Sequence, residues 1–456
     1  MKRFILVFAV LLIPANACTS PPTLTPVPPT ATALQPTSTP TVLPIATLAQ
    51  APRATLLAVS PTPTLKPLSL EDRNRVFEQA WVMVRDKWIH NDDFGGMSWQ
   101  QVHDEYAPRI ASAPTPESFY MLMREFIGKL GDNFSRFLSP QEVASMNQPQ
   151  SNAEVFGGIG ATLKVIPEGA VILEVVQGGP ADLAGLKASD TIQAIDGLAY
   201  STLEASNPGS GIAAIRGTVG TSVRLSVISP DGKLRSVDVT RALISFSPTP
   251  QSPTRVSLLP GTHVGLLQIN TFNSSDVPTQ VKTELQRLMQ AGAMDGLIID
   301  LRRNGGGMSK PMLETLALFN DGGSIGAYAG GKTSTQINVA RGTTISELKS
   351  VPMVVLTSQD TREGAEIFAV GMQVLRRARI VGIPSAGVVN VSETNTFADG
   401  SRLQLLEAIY RPPDGTPVEG RGVQPDHVVD SKWYLYIDNP GNDPQVKAAM
   451  EELKKK

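Results

Sequence analysis

Apolar positions along the chain fall into stretches with different periods. Phe4 to Ile13 form an unbroken apolar run behind Lys2 and Arg3. From Thr19 to about Pro67 there is no period at all, mostly Pro, Thr, Ala and Ser, with Arg53 and Lys66 as the charges. Helical spacing begins at "SLEDRNRVFEQAWVMVRDKWI". Ser69 precedes acidic residues there, and Val76, Ala80, Trp81 and Val84 recur on one face, which predicts a capped amphipathic helix. A second helix is expected through "TPESFYMLMREFIGKL", leading into "LGDNFSRFLSPQEV". Together these predict a helical subdomain over residues 69–150.

The period then shortens to two. "FGGIGATLKVIPEGAVILEVVQGGPADLAGLKASDTIQAIDGLAY" alternates short β-type runs with Gly-Pro and Asp-Gly turns, and "IRGTVGTSVRLSVISPDGKLRSVDVTR" places a hairpin at Pro230-Asp231-Gly232. A β domain over 152–245 follows. After Ile244, apolar strands alternate with amphipathic helices through "HVGLLQINTF", "VPTQVKTELQRLMQAG", "MDGLIIDLRRNGGG", "PMLETLALF", "VPMVVLT" and "EGAEIFAVGMQVLRR". That alternation predicts a sheet covered by helices over 246–430, followed by a C-terminal helical extension over 431–456. The fold class is therefore multi-domain α/β.

Composition narrows the chemistry. With 456 residues, 41% hydrophobic side chains and a formal charge of −2, the chain can bury two or three cores, and it has no basic excess pointing to nucleic acid. The single cysteine, Cys18, excludes an intrachain disulfide framework and a thiolate zinc site. The four histidines, His90, His103, His263 and His427, lack ligand spacing. Neither a metal nor a cofactor is expected.

The N-terminal run, with Ala15 and Ala17 before Cys18, has the form of a secretory signal over residues 1–17 and is too short to span a bilayer comfortably. A cysteine just after the cleavage point resembles the lipobox of bacterial lipoproteins, which implies lipid attachment at Cys18; ordinary cleavage after Ala-Asn-Ala is the alternative. Residues 18–68 then form an extended tether that cannot bury enough apolar surface to fold. At ~3 Å per residue where extended, it would hold a folded body more than ~100 Å from a membrane. The expected location is the outer face of the cytoplasmic membrane.

The β domain resembles a PDZ domain. Its glycine-flanked loop Gly158-Ile159-Gly160-Ala161 opens a strand, and "GPADLAGLKASDTIQAIDG" is similar to that family's short helix and following strand. The resemblance implies capture of a peptide's terminal carboxylate by converging backbone N–H groups, with the peptide adding as a strand along Gly158, Ile159, Gly160, Ala161 and Leu163.

"GLLQINTFNSSDVPTQVKTELQRLMQAGAMDGLIIDLRRNGGG", "LQLLEAIYRPPDGTPVEGRGVQPDHVV" and "NDPQVKAAMEELKKK" resemble the C-terminal processing, or tail-specific, serine peptidases. With the helical segment and PDZ domain in the same order, the likeness runs from about Ser69 to the end. It implies a crotonase-like or ClpP-like α/β core, a serine nucleophile three residues before a glutamate, and a lysine base in a later loop. Aligning that glutamate with Glu366 puts Glu363 at the nucleophile, Val388 at the base and Ser392 at the supporting glutamine. The oxyanion region falls on Gly305, Gly306 and Gly364.

No lysine occurs between Lys349 and Lys432, so the dyad is absent as a unit. A serine hydroxyl needs a neighbouring base to become a nucleophile, and valine cannot serve. Ser358, Thr361 and Ser385 are the nearby hydroxyls, none with a visible base. Asp360 followed by Glu363 reads as a capping box at a helix start, with Ile367, Val370, Gly371 and Val374 as the buried face. The expected function is a pseudopeptidase that binds protein C-termini or extended segments. An active serine peptidase with a displaced nucleophile is one alternative. A binder of apolar ligands is the other, since the interphotoreceptor retinoid-binding proteins resemble this core.

Overall fold

The computed structural model describes residues 67–89, 98–147, 155–245, 253–292, 294–331 and 334–455. The signal sequence, Cys18 and nearly all of the tether lie outside the described residues, as does His90.

The helix Leu70–Lys87 starts as its sequence predicts. Ser69 Oγ accepts from the Asp72 N–H at 3.1 Å, acidic residues occupy the first turn and basic ones the last, which suits the helix dipole. Its buried stripe is Val76, Phe77, Ala80 and Val84, with Trp81 only half-buried. Thr115 caps the helix Pro116–Gly128. Between them lies Trp99–Ala111, a helix not anticipated from the pattern, opened by a reciprocal Ser98–Gln101 capping box.

This helical region does not stand alone. Its strand Arg136–Leu138 pairs antiparallel with residues 402–404, and Phe137 shares a core with Phe397, Leu403 and Leu405 from the far end of the chain. Tyr120 Oη donates to Asp399 Oδ2 at 2.9 Å, fixing the same junction.

In the β domain, five antiparallel strands lie in the order Ala161–Ile166, Gly169–Val175, Thr191–Ile195, Ser222–Ile228, Leu234–Thr240. Their inward faces bury Ile172, Ile192, Val223, Leu225 and Val239. Ala161–Ile166 is an edge strand, with a partner on one side only among the described residues.

The larger body is built on a six-stranded sheet. Thr254–Leu258 pairs antiparallel with Val264–Ile269, and Gly296–Asp300, Met353–Thr357, Arg379–Gly382 and His427–Val428 continue in parallel. Gly296–Asp300 and Met353–Thr357 are buried at every residue, which is why they read as continuous apolar runs rather than alternating ones. One face packs on the helices Val277–Gln290, Ser309–Ala317 and Gly364–Val374. The other is covered by Pro444–Leu453, whose Val446 and Ala449 meet Leu266, Ile298, Val354 and Val381. The C-terminal helix is therefore a layer of this body.

A second, five-stranded antiparallel sheet joins Gly323–Gly330, Ser334–Val339, Asn390–Thr396 and Arg402–Arg411 to Arg136–Leu138. The alternation of apolar runs did not reveal it.

Candidate functional site

The site forms where the parallel strands end. Beyond Asp300, the chain turns through Arg302, a buried guanidinium held by Asp300 (2.7 and 2.9 Å) and by Asp443 and Gln445 at the start of the C-terminal helix (2.5 and 2.8 Å). Burial opposes ionisation of Asp300, but the Arg302 charge outweighs it and holds the carboxyl below its ordinary range. This cluster anchors the glycine loop that follows.

The segment after Met353–Thr357 closes over that loop. Ser358 Oγ donates to the Arg302 carbonyl (2.8 Å), Thr361 Oγ1 to the Leu301 carbonyl (2.9 Å), and the Arg362 N–H to the Asn304 carbonyl (3.0 Å). Both hydroxyls are buried. Ser385 Oγ donates to Glu366 Oε1 at 2.5 Å and accepts from the Val423 N–H at 2.6 Å. Each of the three hydroxyls near the turn is thus committed to holding backbone or Glu366.

Asp360 is not the helix cap. Its carboxylate pairs with Lys164 at 2.5 Å and its N–H donates to Ser358 Oγ. The helix begins at Gly364, and Glu363 itself is the N-cap, with φ 49° and ψ −122°. Glu366 occupies the third helical position and accepts from the Glu363 N–H at 3.1 Å. The expected buried face is also too narrow. Gly364 to Met372 are all buried, while Val374 is half-buried, because the helix packs on the six-stranded sheet, on the helix Ser309–Ala317 and on the strand Gly323–Gly330 of the second sheet.

Glu363 and Val388 stand side by side, since the Glu363 N–H donates to the Val388 carbonyl at 2.9 Å. Glu366 fixes that juxtaposition. Its buried carboxylate accepts from Ser385 Oγ and the Gly387 N–H on one oxygen, and from the Val388 and Glu363 N–H groups on the other, at 2.5 to 3.1 Å. Burial pushes the Glu366 carboxyl up, and these four donors only partly offset it. Glu419 ties the next residue by accepting the Val389 N–H at 2.7 Å. Ser392 lies on the strand Asn390–Thr396, where its Oγ is buried without a partner among the described residues.

The glycine loop packs directly on this turn. Gly306 has φ +99°, and a Cβ there would fall 2.4 Å from Glu363 Cβ and 2.8 Å from Glu363 Oε2. Only glycine fits. The Gly306 N–H donates to Asn304 Oδ1 at 2.9 Å, so it is spent inside the loop. Among the described residues no hydrogen bond takes up the N–H of Gly305 or Gly364. Glu363 is exposed and its carboxylate lies over Gly306 without an ion pair among the described residues. The arrangement offers an anion and N–H donors free among the described residues, and the hydroxyls of Ser358, Thr361 and Ser385 around it are all engaged.

The expected peptide-binding loop of the β domain is also placed. Gly158 ends the strand Val155–Gly158 and pairs with Ala242, and Ile159 is buried in the domain core. Gly160 has φ +72° and its carbonyl accepts from Val176. Ala161 and Leu163 lie on the edge strand, whose Lys164 reaches Asp360, three residues before Glu363. The N–H groups of Ile159 and Gly160 have no acceptor among the described residues.

Sequence reasoning missed the binding roles of Asn304, Glu419 and Lys164, and read Glu366 only as an alignment mark. The available signal was the single charge inside "GAEIFAVG", an acidic residue where only apolar ones belong. Among the described residues no group of three or more His, Cys, Asp or Glu could hold a metal ion, and no helix is long and apolar enough to cross a membrane.

Residues 263–429 match peptidase family S41, residues 69–128 the tricorn protease C1 domain and residues 157–240 the PDZ domain. The chain is 28% identical over 392 residues to a carboxyl-terminal-processing protease of Synechocystis sp., covering 85% of this chain and 88% of that one. It is 28% identical to the chloroplastic carboxyl-terminal-processing peptidase 2 of Arabidopsis thaliana, covering 78% and 69%. Among solved structures, a photosystem II D1 C-terminal processing protease superposes with a TM-score of 0.54 at 23% identity, covering 78% of this chain and 93% of that one. A putative S41 protease from Bacteroides fragilis superposes at 0.52 with 17% identity, covering 86% and 100%.

Proposed function

The chain is a C-terminal processing peptidase homologue of family S41 with a PDZ domain, and from that premise we propose that it captures protein C-termini or extended segments without cutting them. The observation that carries this reading is the pairing of Glu363 with Val388 at the start of the central helix. The backbone there keeps a sharp turn whose side chains supply neither the serine hydroxyl nor the lysine amine that the family resemblance calls for. In coupled catalytic groups, loss of one member already removes most of the rate, about 10⁴-fold or more. The peptide would enter along the free edge of Ala161–Ile166, its carboxylate on the free N–H groups of Ile159 and Gly160.

The competing reading, a working peptidase with a displaced nucleophile, draws on family membership. Against it stand the burial of Ser358, Thr361 and Ser385 and the hydrogen bonds that hold each hydroxyl. Export and lipid attachment at Cys18 belong to the same proposal and rest on the N-terminal sequence alone. Fatty-acid labelling that leaves the mature protein unlabelled would remove the anchor from it.

The test has two arms. Mature protein incubated with unfolded proteins is expected to give no new termini, whereas Glu363→Ser combined with Val388→Lys gains slow cleavage that neither single variant shows. Turnover by the unmodified protein, abolished by Ser358→Ala or Ser385→Ala, would refute inactivity. In the binding arm, peptides with a free C-terminus should bind and amidated ones bind weakly; equal affinity refutes carboxylate capture.

A further inference from the structure

The central helix Gly364–Val374 has eleven residues and separates two sites by about 16 Å. Its far end opens on a surface cleft of about 340 Å³, at the N-terminal ends of the strands Met353–Thr357 and Arg379–Gly382. Four cationic side chains line that cleft, Arg376, Arg377, Arg379 and Lys455, against two carboxylates, Asp426 and Glu452.

Only Glu452 is paired with cations, whereas Asp426 is held by uncharged donors and keeps its charge, so the four cations exceed the two carboxylates of the cleft by two. Glu452, buried, is 3.1 Å from Arg379 Nη1 and accepts from Lys455 Nζ at 2.5 Å and from His427 at 3.0 Å. Asp426 accepts from Gln373 and from the Ile380 N–H. Arg377 is half-buried and donates to the carbonyls of Phe319, Val351 and Leu348, with no carboxylate in contact among the described residues. Its charge is therefore not neutralised locally, although burial pushes its guanidinium down. Arg376 is exposed and has no ion pair among the described residues.

Arg376 also sits where glycine is the natural choice. Its φ of +52° closes the helix, with the Arg376 N–H donating to the Gln373 carbonyl and the Arg377 N–H to the Met372 carbonyl. This is the left-handed C-terminal cap that glycine adopts without strain. Basic residues at a helix C-terminus do complement the dipole, but Arg377 serves that purpose from an unstrained position. We propose that this cleft is a binding site for a small organic or inorganic oxyanion, a carboxylate- or phosphate-bearing molecule, gripped by Arg376 and attracted by the cleft's excess of cations, to which Arg377 contributes. Arg379 and Lys455, locked by Glu452, form its cationic wall.

The test uses the mature protein with sodium phosphate and sodium citrate as probes, against sodium chloride at matched ionic strength. A saturable rise in melting temperature is expected with one or both oxyanions and none with chloride. Arg376→Gly should melt higher than wild type without ligand, because the backbone strain is gone, yet bind the oxyanion at least tenfold more weakly. Arg376→Asn, which also tolerates the left-handed region, should show the same loss and guards against a glycine-specific effect. Glu363→Ser should keep the wild-type response, separating this cleft from the peptidase-like site. Absence of an oxyanion-specific shift, or equal dissociation constants for wild type and both Arg376 variants, would overturn the proposal.

Discussion

The two ends of the central helix hold non-glycine residues in positive φ, and they do so by different means. At the N-terminal end, Glu363 at φ 49° is clamped from outside the helix by the Val388 carbonyl and by contact with Gly306, and from the first helical turn by Glu366. At the C-terminal end, Arg376 at φ 52° is held by the helix's own terminal hydrogen bonds to Met372, through Arg377, and to Gln373. The first distortion is imposed by tertiary structure and the second by helix termination. Strain of about 1–3 kcal/mol persists only where surroundings over-determine it, so the turn at Glu363 is maintained by its buried supports.

The largest expected effect comes from removing the support at the N-terminal end. Glu366→Ala leaves the N–H groups of Gly387 and Val388 and the Ser385 hydroxyl without their acceptor, while the Glu363 N–H keeps the Val388 carbonyl, and should cost about 3 kcal/mol or more in urea unfolding. A loss below about 1 kcal/mol would mean that Glu366 does not hold the turn. The pH dependence has a definite sign. The folded carboxyl lies above its unfolded value, so its contribution is fully present below the unfolded value near 4.5 and is lost as pH rises through the folded one. The stability advantage of wild type over Glu366→Ala should therefore shrink from pH 4.5 upward, and an advantage that grows with pH would contradict it.

A smaller loss is expected for Gly306→Ala, about 2 kcal/mol, because the new Cβ overlaps Glu363 Cβ and the φ of +99° disfavours any side chain. In the Glu363→Gly background that loss should fall by about half, and a double-mutant cycle showing strict additivity would separate the two residues. The smallest effect sharpens the comparison most. Glu363→Gly should stabilise by about 0.5–1 kcal/mol, as Arg376→Gly should at the other end, since both relieve a left-handed backbone. Destabilisation by Glu363→Gly in thermal melts would show that its carboxylate, lying over Gly306, contributes more than its backbone strain removes.

Much of the fold was legible because its signals are local. Ser69, Thr115 and the stripe at Val76, Ala80 and Val84 act within one or two helical turns. Residues 353–356 advertise a buried strand by being apolar throughout. The second sheet stayed hidden, because Arg136–Leu138 pairs with residues more than 260 positions later and has a pattern too short to read. At the site, the residue types at Glu363, Val388 and Ser392 were readable, whereas the hydrogen bond between the Glu363 N–H and the Val388 carbonyl was not. That Asp360 would turn away to Lys164 of the β domain was not.

The amino-acid sequence by itself determined the order of helical, β and α/β segments, the caps that start the first helices, and the lack of a serine and lysine at the turn. Only the tertiary structure decided that Glu363 caps the central helix in a left-handed backbone, that Gly306 spends its N–H on Asn304, and that Arg302 is locked to Asp443 across 141 positions. Apolar periodicity and capping report the burial and hydrogen bonding of neighbours a few residues apart. Buried carboxylates and strained turns depend instead on donors and charges that the completed fold alone brings within 3 Å of one another.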